Sequence, residues 1–394
     1  MKAAIPRNAL AQAASTAHEI VSTHVAIPVA RNLLFESDGP GCLVLTATDL
    51  TTWVRVWMDA EVSDSGPATA PAKLFREAVD KLSGDRVELE TPARGAGSGT
   101  LRITAGPSQF HLNTLAADAF PRPAGLDWDA GFDIPGDILA PMLRAAAVTV
   151  STDETRSPAL RGVLWEVQNN RLNVVSTDGF RLTRTSLRLA VPIPTGNLVL
   201  PPRCCRAVAG ILGDEDVVRV VADGTRIGFR GANVEIVSNL IAERYPSYQR
   251  IIPRTQTRHL TVPRSVLKAA LERMALLATD KTTRMICTLE PGYLRFAAAS
   301  PDLGTVDDRI PAVHDSEDTF RIAFNSEFLK SLLPALAGAR DVRFSFGTEE
   351  EAATIEPVNE AAPTAPGGAA TPPPDAETEL LLVCMPLRLL EKAT

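Results

Sequence analysis

Apolar and polar positions along the chain fall into four patterns that come round three times. Each round opens on Pro-x-x-x-Leu leading an Ala/Leu-rich segment: Pro6 to Leu10, Pro135 to Leu139 and Pro263 to Leu267. Proline near a first turn is a helix-start signal, because its fixed φ suits the helix and its missing N–H is not needed there. The segments that follow, 7–21, 136–150 and 264–278, carry apolar residues at mixed three- and four-residue spacing, which predicts half-buried helices. Next come pairs of short alternating runs split by turn residues. They are Asn32–Ser37 with Leu43–Asp49, Gly162–Val167 with Leu172–Asp178, and Met285–Leu289 with Leu294–Ser300. This is the signature of hairpins. A second helix is predicted over 72–82, 202–212 and 326–336. A strand with a shared opening follows it: Asp85-Arg86-Val87, Asp216-Val217-Val218 and Asp341-Val342-Arg343.

Four elements recurring in one order, with a period near ~128 residues, mark an internal threefold repeat. The modules are 1–128, 129–257 and 258–394. Each holds two helices and many short antiparallel strands, an α+β class. One segment breaks the pattern. Residues 357–378 contain Pro357, Pro363, Pro366, Pro372, Pro373 and Pro374 among Ala, Gly, Thr and Glu. Such a stretch buries too little apolar surface to offset its ordering entropy. It is expected to be a mobile loop between a strand near 351–356 and a last strand over 379–387. A tolerated surface insertion and a partner-binding segment are both open readings.

Composition then sharpens the picture. The 394 residues are 45% hydrophobic and 22% charged, as in globular proteins, and only 5% aromatic, so the core must be aliphatic. The net charge is −7, which argues against a uniformly basic nucleic-acid surface. The charges are not evenly spread. The predicted helices hold eleven basic residues (Arg7, Lys73, Arg76, Lys81, Arg144, Arg203, Arg206, Arg264, Lys268, Arg273, Lys330) against six acidic ones (Glu19, Glu77, Asp80, Asp137, Glu272, Glu327). Ordinary solvated helix faces are the plain reading for any single helix. Separation across repeated helices instead suggests a basic helical surface within an acidic protein, a local field able to steer an anionic polymer.

Candidate chemistry is sparse. The five cysteines, Cys42, Cys204, Cys205, Cys287 and Cys384, form no CxxC and have no histidine at metal-ligand spacing. They read as reduced thiols of a cytosolic protein, with no metal or cofactor expected. Gly95-Ala96-Gly97-Ser98-Gly99 lacks a P-loop lysine, and no GxSxG, HExxH or kinase set occurs. Asp49 and Asp178 each close a strand at equivalent repeat positions, so a turn role is favoured over acid catalysis. No run of apolar residues is long enough to cross a membrane, and the N-terminus is not a signal peptide. An enzyme on this scaffold is the disfavoured alternative.

Four strings then carry a family resemblance: Leu45-Thr46-Ala47-Thr48-Asp49-Leu50, Ser176-Thr177-Asp178-Gly179-Phe180-Arg181-Leu182, Tyr245-Pro246-Ser247-Tyr248-Gln249-Arg250-Ile251-Ile252-Pro253 and Met385-Pro386-Leu387-Arg388-Leu389. The chain resembles the bacterial DNA polymerase III beta subunit, the sliding-clamp family, over all but the Pro-rich segment. The resemblance implies a head-to-tail homodimer closing a six-domain ring around double-stranded DNA. It implies no catalysis and a cytoplasmic, nucleoid-associated location. The implied partners are the polymerase III alpha subunit, the clamp loader and other proteins with clamp-binding motifs; a paralogue with altered partners is the alternative.

The resemblance also implies site residues. Helix cations Lys73, Arg76, Arg203 and Arg206 would face DNA, with His24 where some relatives carry Arg. A peptide pocket would comprise Leu160, Thr177, Gly179, Phe180, Arg181, Leu182, Pro246, Arg250, Ile251, Val383, Cys384, Met385, Pro386, Leu387, Arg388 and Leu389. Phe180 replaces a more usual His there. A hydrophobic seam would join Phe110 and Leu112 to Leu276 and Leu277 of a second chain. For several of these residues a place in the chain's own core is the rival reading.

Overall fold

The computed structural model describes residues 1–23, 25–91, 99–189, 195–277, 284–315, 318–358 and 378–389. His24, residues 95–98 of the glycine turn and all but the ends of the 357–378 segment lie outside the described residues. Six α-helices occur where the repeat places them: α1 Arg7–His18, α2 Ala72–Lys81, α3 Gly136–Ala146, α4 Pro202–Ile211, α5 Arg264–Ala275 and α6 Ser326–Leu332. Pro6, Pro71 and Pro263 are the N-caps of α1, α2 and α5, with φ near −60° turning an arriving strand into each helix. The cap of α6 is Asn325, whose side chain accepts the Glu327 N–H at 3.0 Å. No helix among the described residues is long and apolar enough to cross a membrane.

The first helix of each module ends short of its predicted range. In α3 the cause is tertiary. Thr149 is buried, donates to the Ser176 carbonyl at 3.1 Å and bonds the Ser176 and Thr183 hydroxyls, so Val148–Val150 leave the helix. In α1, Glu19 is the C-cap and so lies outside the helix, trimming the acidic tally on the helices by one.

The strands form two compact units. The first comprises Met1–Ala140 and Arg203–Leu240; the second comprises Pro141–Pro202 and Ile241–Thr394. An eight-stranded sheet of the first unit runs in the order Phe132–Ile134, Val218–Ala222, Arg226–Arg230, Val234–Asn239, Thr52–Asp59, Cys42–Thr48, Asn32–Ser37 and Ala68–Pro71. Beside it is a five-stranded sheet, Glu61–Asp64, Lys2–Pro6, Arg86–Glu90, Thr100–Ala105 and Ser108–Asn113. The second unit has a nine-stranded sheet, Gly196–Leu200, Val163–Gln168, Arg171–Thr177, Arg181–Arg188, Thr378–Cys384, Ala353–Val358, Asp341–Phe346, Arg258–Pro263 and Val313–His314. Its four-stranded sheet is Gly304–Pro311, Tyr293–Ser300, Arg284–Glu290 and Phe320–Asn325. All recorded pairings are antiparallel, as the α+β reading requires.

The middle module is therefore divided between the units. Its strand Val234–Asn239 pairs with Thr52–Asp59 of the first module, Val234 opposite Val56. Its strand Arg181–Arg188 pairs with Thr378–Cys384 of the third, Arg181 opposite Cys384. The last strand is shorter than 379–387: it ends at Cys384, and Leu387 makes a separate bridge to Ala323. Pro357 belongs to a strand, opposite Val342.

Helices cover the sheets with small and aliphatic side chains. In the first unit Leu10, Ala13, Ala14 and Ala17 of α1 and Phe75, Ala78 and Val79 of α2 are buried. Phe75 meets Phe35 edge-on at 4.8 Å. In the second, Leu267, Leu271 and Met274 of α5 and Leu329 and Leu332 of α6 pack with Phe296, Phe324 and Phe344.

Candidate peptide-docking site and helix-borne cations

A five-residue turn organises the candidate site. Thr177 to Arg181 joins two strands of the nine-stranded sheet, and Gly179 at φ +89° makes the reversal possible. The Thr177 hydroxyl donates to the Arg181 carbonyl at 2.6 Å and accepts the Gly179 N–H at 3.1 Å. Asp178 Oδ1 accepts the N–H groups of Phe180 and Arg181 at 2.9 and 2.8 Å. Asp178 Oδ2 accepts from Arg181 Nε and Nη2 at 2.9 and 2.6 Å. The remaining arm of Arg181 donates to the Ser331 hydroxyl of α6. Asp178 is thus a turn and anchoring residue, as its repeat position predicts.

This scaffold fixes Phe180 at the tip, 48% exposed. Its ring stacks on Phe328 of α6 at 5.6 Å and 29°. The guanidinium of Arg156 lies over Phe180 at 5.7 Å, and that of Arg181 over Phe328 at 4.8 Å. Phe328, Ser331 and Arg156 are absent from the predicted set. Nothing local marks Phe328 and Ser331, which sit on a helix of the next module.

Beneath the turn is an apolar floor. Leu182 and Val383 are fully buried and cluster with Leu164, Val175, Tyr245 and Tyr248. Leu160, Ile251, Ile252 and Met385 lie half-buried on that cluster. Thr177 and Cys384 are also buried, so with Leu182 and Val383 they support the surface from below. Burial pushes the Cys384 thiol up to about 12, keeping it neutral. Pro246 and Arg250 are exposed at the rim. The Met385 N–H donates to the Phe180 carbonyl at 2.8 Å, and the Leu387 N–H to that of Ala323 at 2.7 Å. Pro386, Leu387, Arg388 and Leu389 line a cleft of about 600 Å³ with Glu349 and Glu350. Of the predicted residues of the second unit, Thr177, Leu182, Val383 and Cys384 are thus buried supports and the others are at least partly exposed, with Arg156 and Arg181 against the Phe180 and Phe328 rings and Glu349 and Glu350 in the cleft.

Three family models cover most of the chain. They describe the N-terminal, central and C-terminal domains of the DNA polymerase III beta subunit and match residues 1–124, 133–247 and 249–365. The chain belongs to that family. The beta sliding clamp of Synechococcus elongatus is 29% identical over 367 residues, 91% of this chain and 96% of that one. The beta sliding clamp of Synechocystis is 31% identical over 356 residues, 85% and 90% of the two chains. Among solved structures, the Pseudomonas aeruginosa beta subunit superposes with a TM-score of 0.85 at 25% identity, covering 99% of this chain and all of that one. The Streptococcus pyogenes beta subunit, at 20% identity and a TM-score of 0.87, shares the fold.

In this beta-subunit chain the helix-borne cations differ in freedom. Lys73 and Arg206 are exposed. Arg76 is half-buried, and burial together with Arg76 lowers the pKa of His18. Arg203 is committed to the protein: it pairs with Asp49 at 3.4 Å and donates to the Val21 and Glu19 carbonyls at 2.8 and 3.4 Å. The seam candidates also divide. Leu276 is 78% exposed, while Leu112 is buried opposite Leu101 in its own sheet. Phe110 and Leu277 are half-buried. Among the described residues no cluster of His, Cys, Asp or Glu could hold a metal.

Proposed function

We propose that this chain is a DNA sliding clamp: two copies close head to tail around duplex DNA and tether the replicative polymerase. The reading is carried by one observation, the way modules join. At both intramolecular junctions the fourth strand of one module pairs with the last strand of the next. The third module's equivalent strand, Gly304–Pro311, is the outer strand of its sheet; so is the first module's last strand, Ser108–Asn113. Two chains placed head to tail would repeat the junction twice more and close six modules. The repeat also matches side chains. Leu303, 55% exposed, stands where the second module has Phe180, and Leu74, 49% exposed, where the third has Phe328. Since Phe180 and Phe328 stack, a second chain's Leu74 would cover Leu303 by the same repeat, and Leu276, 78% exposed, is the seam candidate that the chain itself leaves uncovered.

A sliding ring must not read bases, which would hold it in one register. A few exchangeable phosphate contacts suffice, and Lys73, Arg76 and Arg206 supply them. Retention then comes from topology, and no catalytic residue is needed. The Phe180–Met385 surface takes short hydrophobic peptides of the polymerase alpha subunit, the clamp loader and repair proteins. Exchange among partners calls for roughly micromolar affinity, about −8 kcal/mol per site. The protein works in the cytoplasm on the nucleoid.

The test is retention on a plasmid. Protein loaded on nicked circular DNA should stay bound through a high-salt wash and slide off once the plasmid is cut. Equal retention on circular and linear DNA would overturn the reading.

A further inference from the structure

A groove of about 620 Å³ opens in the first unit, the unit that does not hold the Thr177–Arg181 turn. One wall is a single face of α1 with its cap: Pro6, Ala9, Gln12, Ala13 and Thr16. The other is the end of strand Thr52–Asp59 with the chain beyond α4. The floor is apolar, with Ala13, Val56, Met58 and Val234 buried and Ile211 and Trp57 half-buried.

Two alanines create the space. By the repeat, Ala9 and Ala13 correspond to Ile138 and Met142 of the second module, which carry more volume at the same helical positions. The rim is acidic. Asp59 and Asp214 are exposed, and Glu215 is half-buried with one oxygen accepting the Ala232 N–H at 3.3 Å. No lysine or arginine is among the fifteen lining residues. A rim of this sign repels phosphate, so the groove is no extension of the DNA-facing surface.

We propose that this groove docks a short basic, amphipathic peptide segment of a partner protein. An aliphatic side chain sits on the Val56–Met58–Val234 floor over Ala9 and Ala13, and flanking lysine or arginine pairs with Asp59 and Asp214. The volume is in the range that holds a few side chains, and complementary charge supplies orientation and on-rate. The site is on the other unit from the Phe180 surface, so its partner and the polymerase peptide do not compete for residues.

The probe is a fluorescein-labelled six-residue peptide alternating leucine and lysine, followed by anisotropy with the full-length protein. A leucine–glutamate peptide is the reference. The lysine peptide should bind and shift Trp57 emission; the glutamate peptide should bind at least about tenfold more weakly. Asp59→Lys with Asp214→Lys should weaken lysine-peptide binding about tenfold, as should Ala9→Trp, which fills the groove without changing charge. Asp302→Lys with Glu356→Lys, the same charge change on the other unit, should leave it within about twofold. Binding of a polymerase peptide at the Phe180 surface should be unchanged in every variant, which also reports that each is folded. Equal loss in the Asp302/Glu356 variant would reduce the effect to a general field. Undiminished binding by Ala9→Trp would remove the groove as the site. Either result overturns the proposal.

Discussion

Gly179 and Leu50 occupy the same turn position in two modules, and both have positive φ, +89° and +75°. For glycine this is free; for leucine it strains the backbone. A Cβ added at Gly179 would meet only Arg156 Nη1, at 3.6 Å, an ordinary contact. Gly179→Ala should therefore cost about 1 kcal/mol from the backbone alone. Leu50→Gly relieves the equivalent strain and should be neutral or stabilising in urea denaturation, against the usual penalty for inserting glycine. A larger loss from Leu50→Gly than from Gly179→Ala would show that the Leu50 side chain matters more than its backbone. The thiols give a second residue-level expectation. Cys204, Cys205, Cys287 and Cys384 are buried, and Cys42 is half-buried. Burial raises Cys204 and Cys384 from an ordinary 9.0 to about 12. The fold thus holds these protons more tightly than the unfolded chain. Their contribution is full below pH 9.0 and is lost as pH climbs toward 12, so stability should decline on the alkaline side. In native protein at neutral pH, iodoacetamide should label Cys42 alone; prompt labelling of Cys384 would contradict the burial.

Elements were more legible in the sequence than the contacts that end them or join them. Proline starts located the first helix of each module, recurrence in the repeat located the second, and alternating runs with turn residues located the hairpins, because those signals are in the sequence itself. What closes α1 is not. The Glu19 and Val21 carbonyls just past its end are taken by Arg203, whose charge in the sequence pointed to DNA. Thr149 likewise left α3 for partners near residues 176 and 183. The site shows the same division. The motif strings located the Thr177–Arg181 turn and the Met385–Leu389 segment, but Phe328 and Ser331 reach it from a helix with no such string. The Pro-rich insertion can be judged from the strands that flank it. Ala353 lies opposite Cys384 and Ile355 opposite Leu382, so Val358 and Thr378 are at the same end of an antiparallel pair. Replacing residues 359–377 by Asn-Gly would join them through a short hairpin turn of a favoured kind. The expected outcome is a melting temperature within a few degrees of the parent and intact polymerase-peptide binding. A large fall would mean that the insertion contributes to the fold.

At the scale of the whole molecule, the −7 charge and the threefold repeat pull in one direction. Most of the basic side chains on the helices either remain exposed, like Lys73 and Arg206, or tie the helices to the sheets, as Arg273 does to Asp308 at 2.5 Å. An acidic remainder then discourages adhesion to DNA elsewhere, which suits a protein held by topology. Topology in turn demands a closed assembly, and closure must come from surfaces that a single chain leaves open. In the proposed ring, three of its exposed large hydrophobics, Leu74, Leu276 and Leu303, would supply the missing junction. Leu112 does not, since its own core already buries it, so a charge there would test folding and not assembly. Leu276→Asp with Leu277→Asp should instead leave each chain folded and yield monomers, because closing the seam would bury two carboxylates without partners. Leu303→Asp should weaken the dimer in the same sense through the Leu74 contact. Sedimentation at micromolar concentration, with circular dichroism as the folding control, decides the matter. A dimer mass unchanged by all three substitutions would place the seam elsewhere. Monomers that bind the polymerase peptide normally but are not retained on circular DNA would separate the two proposed tasks: binding partners through the second unit, and holding DNA only as a ring.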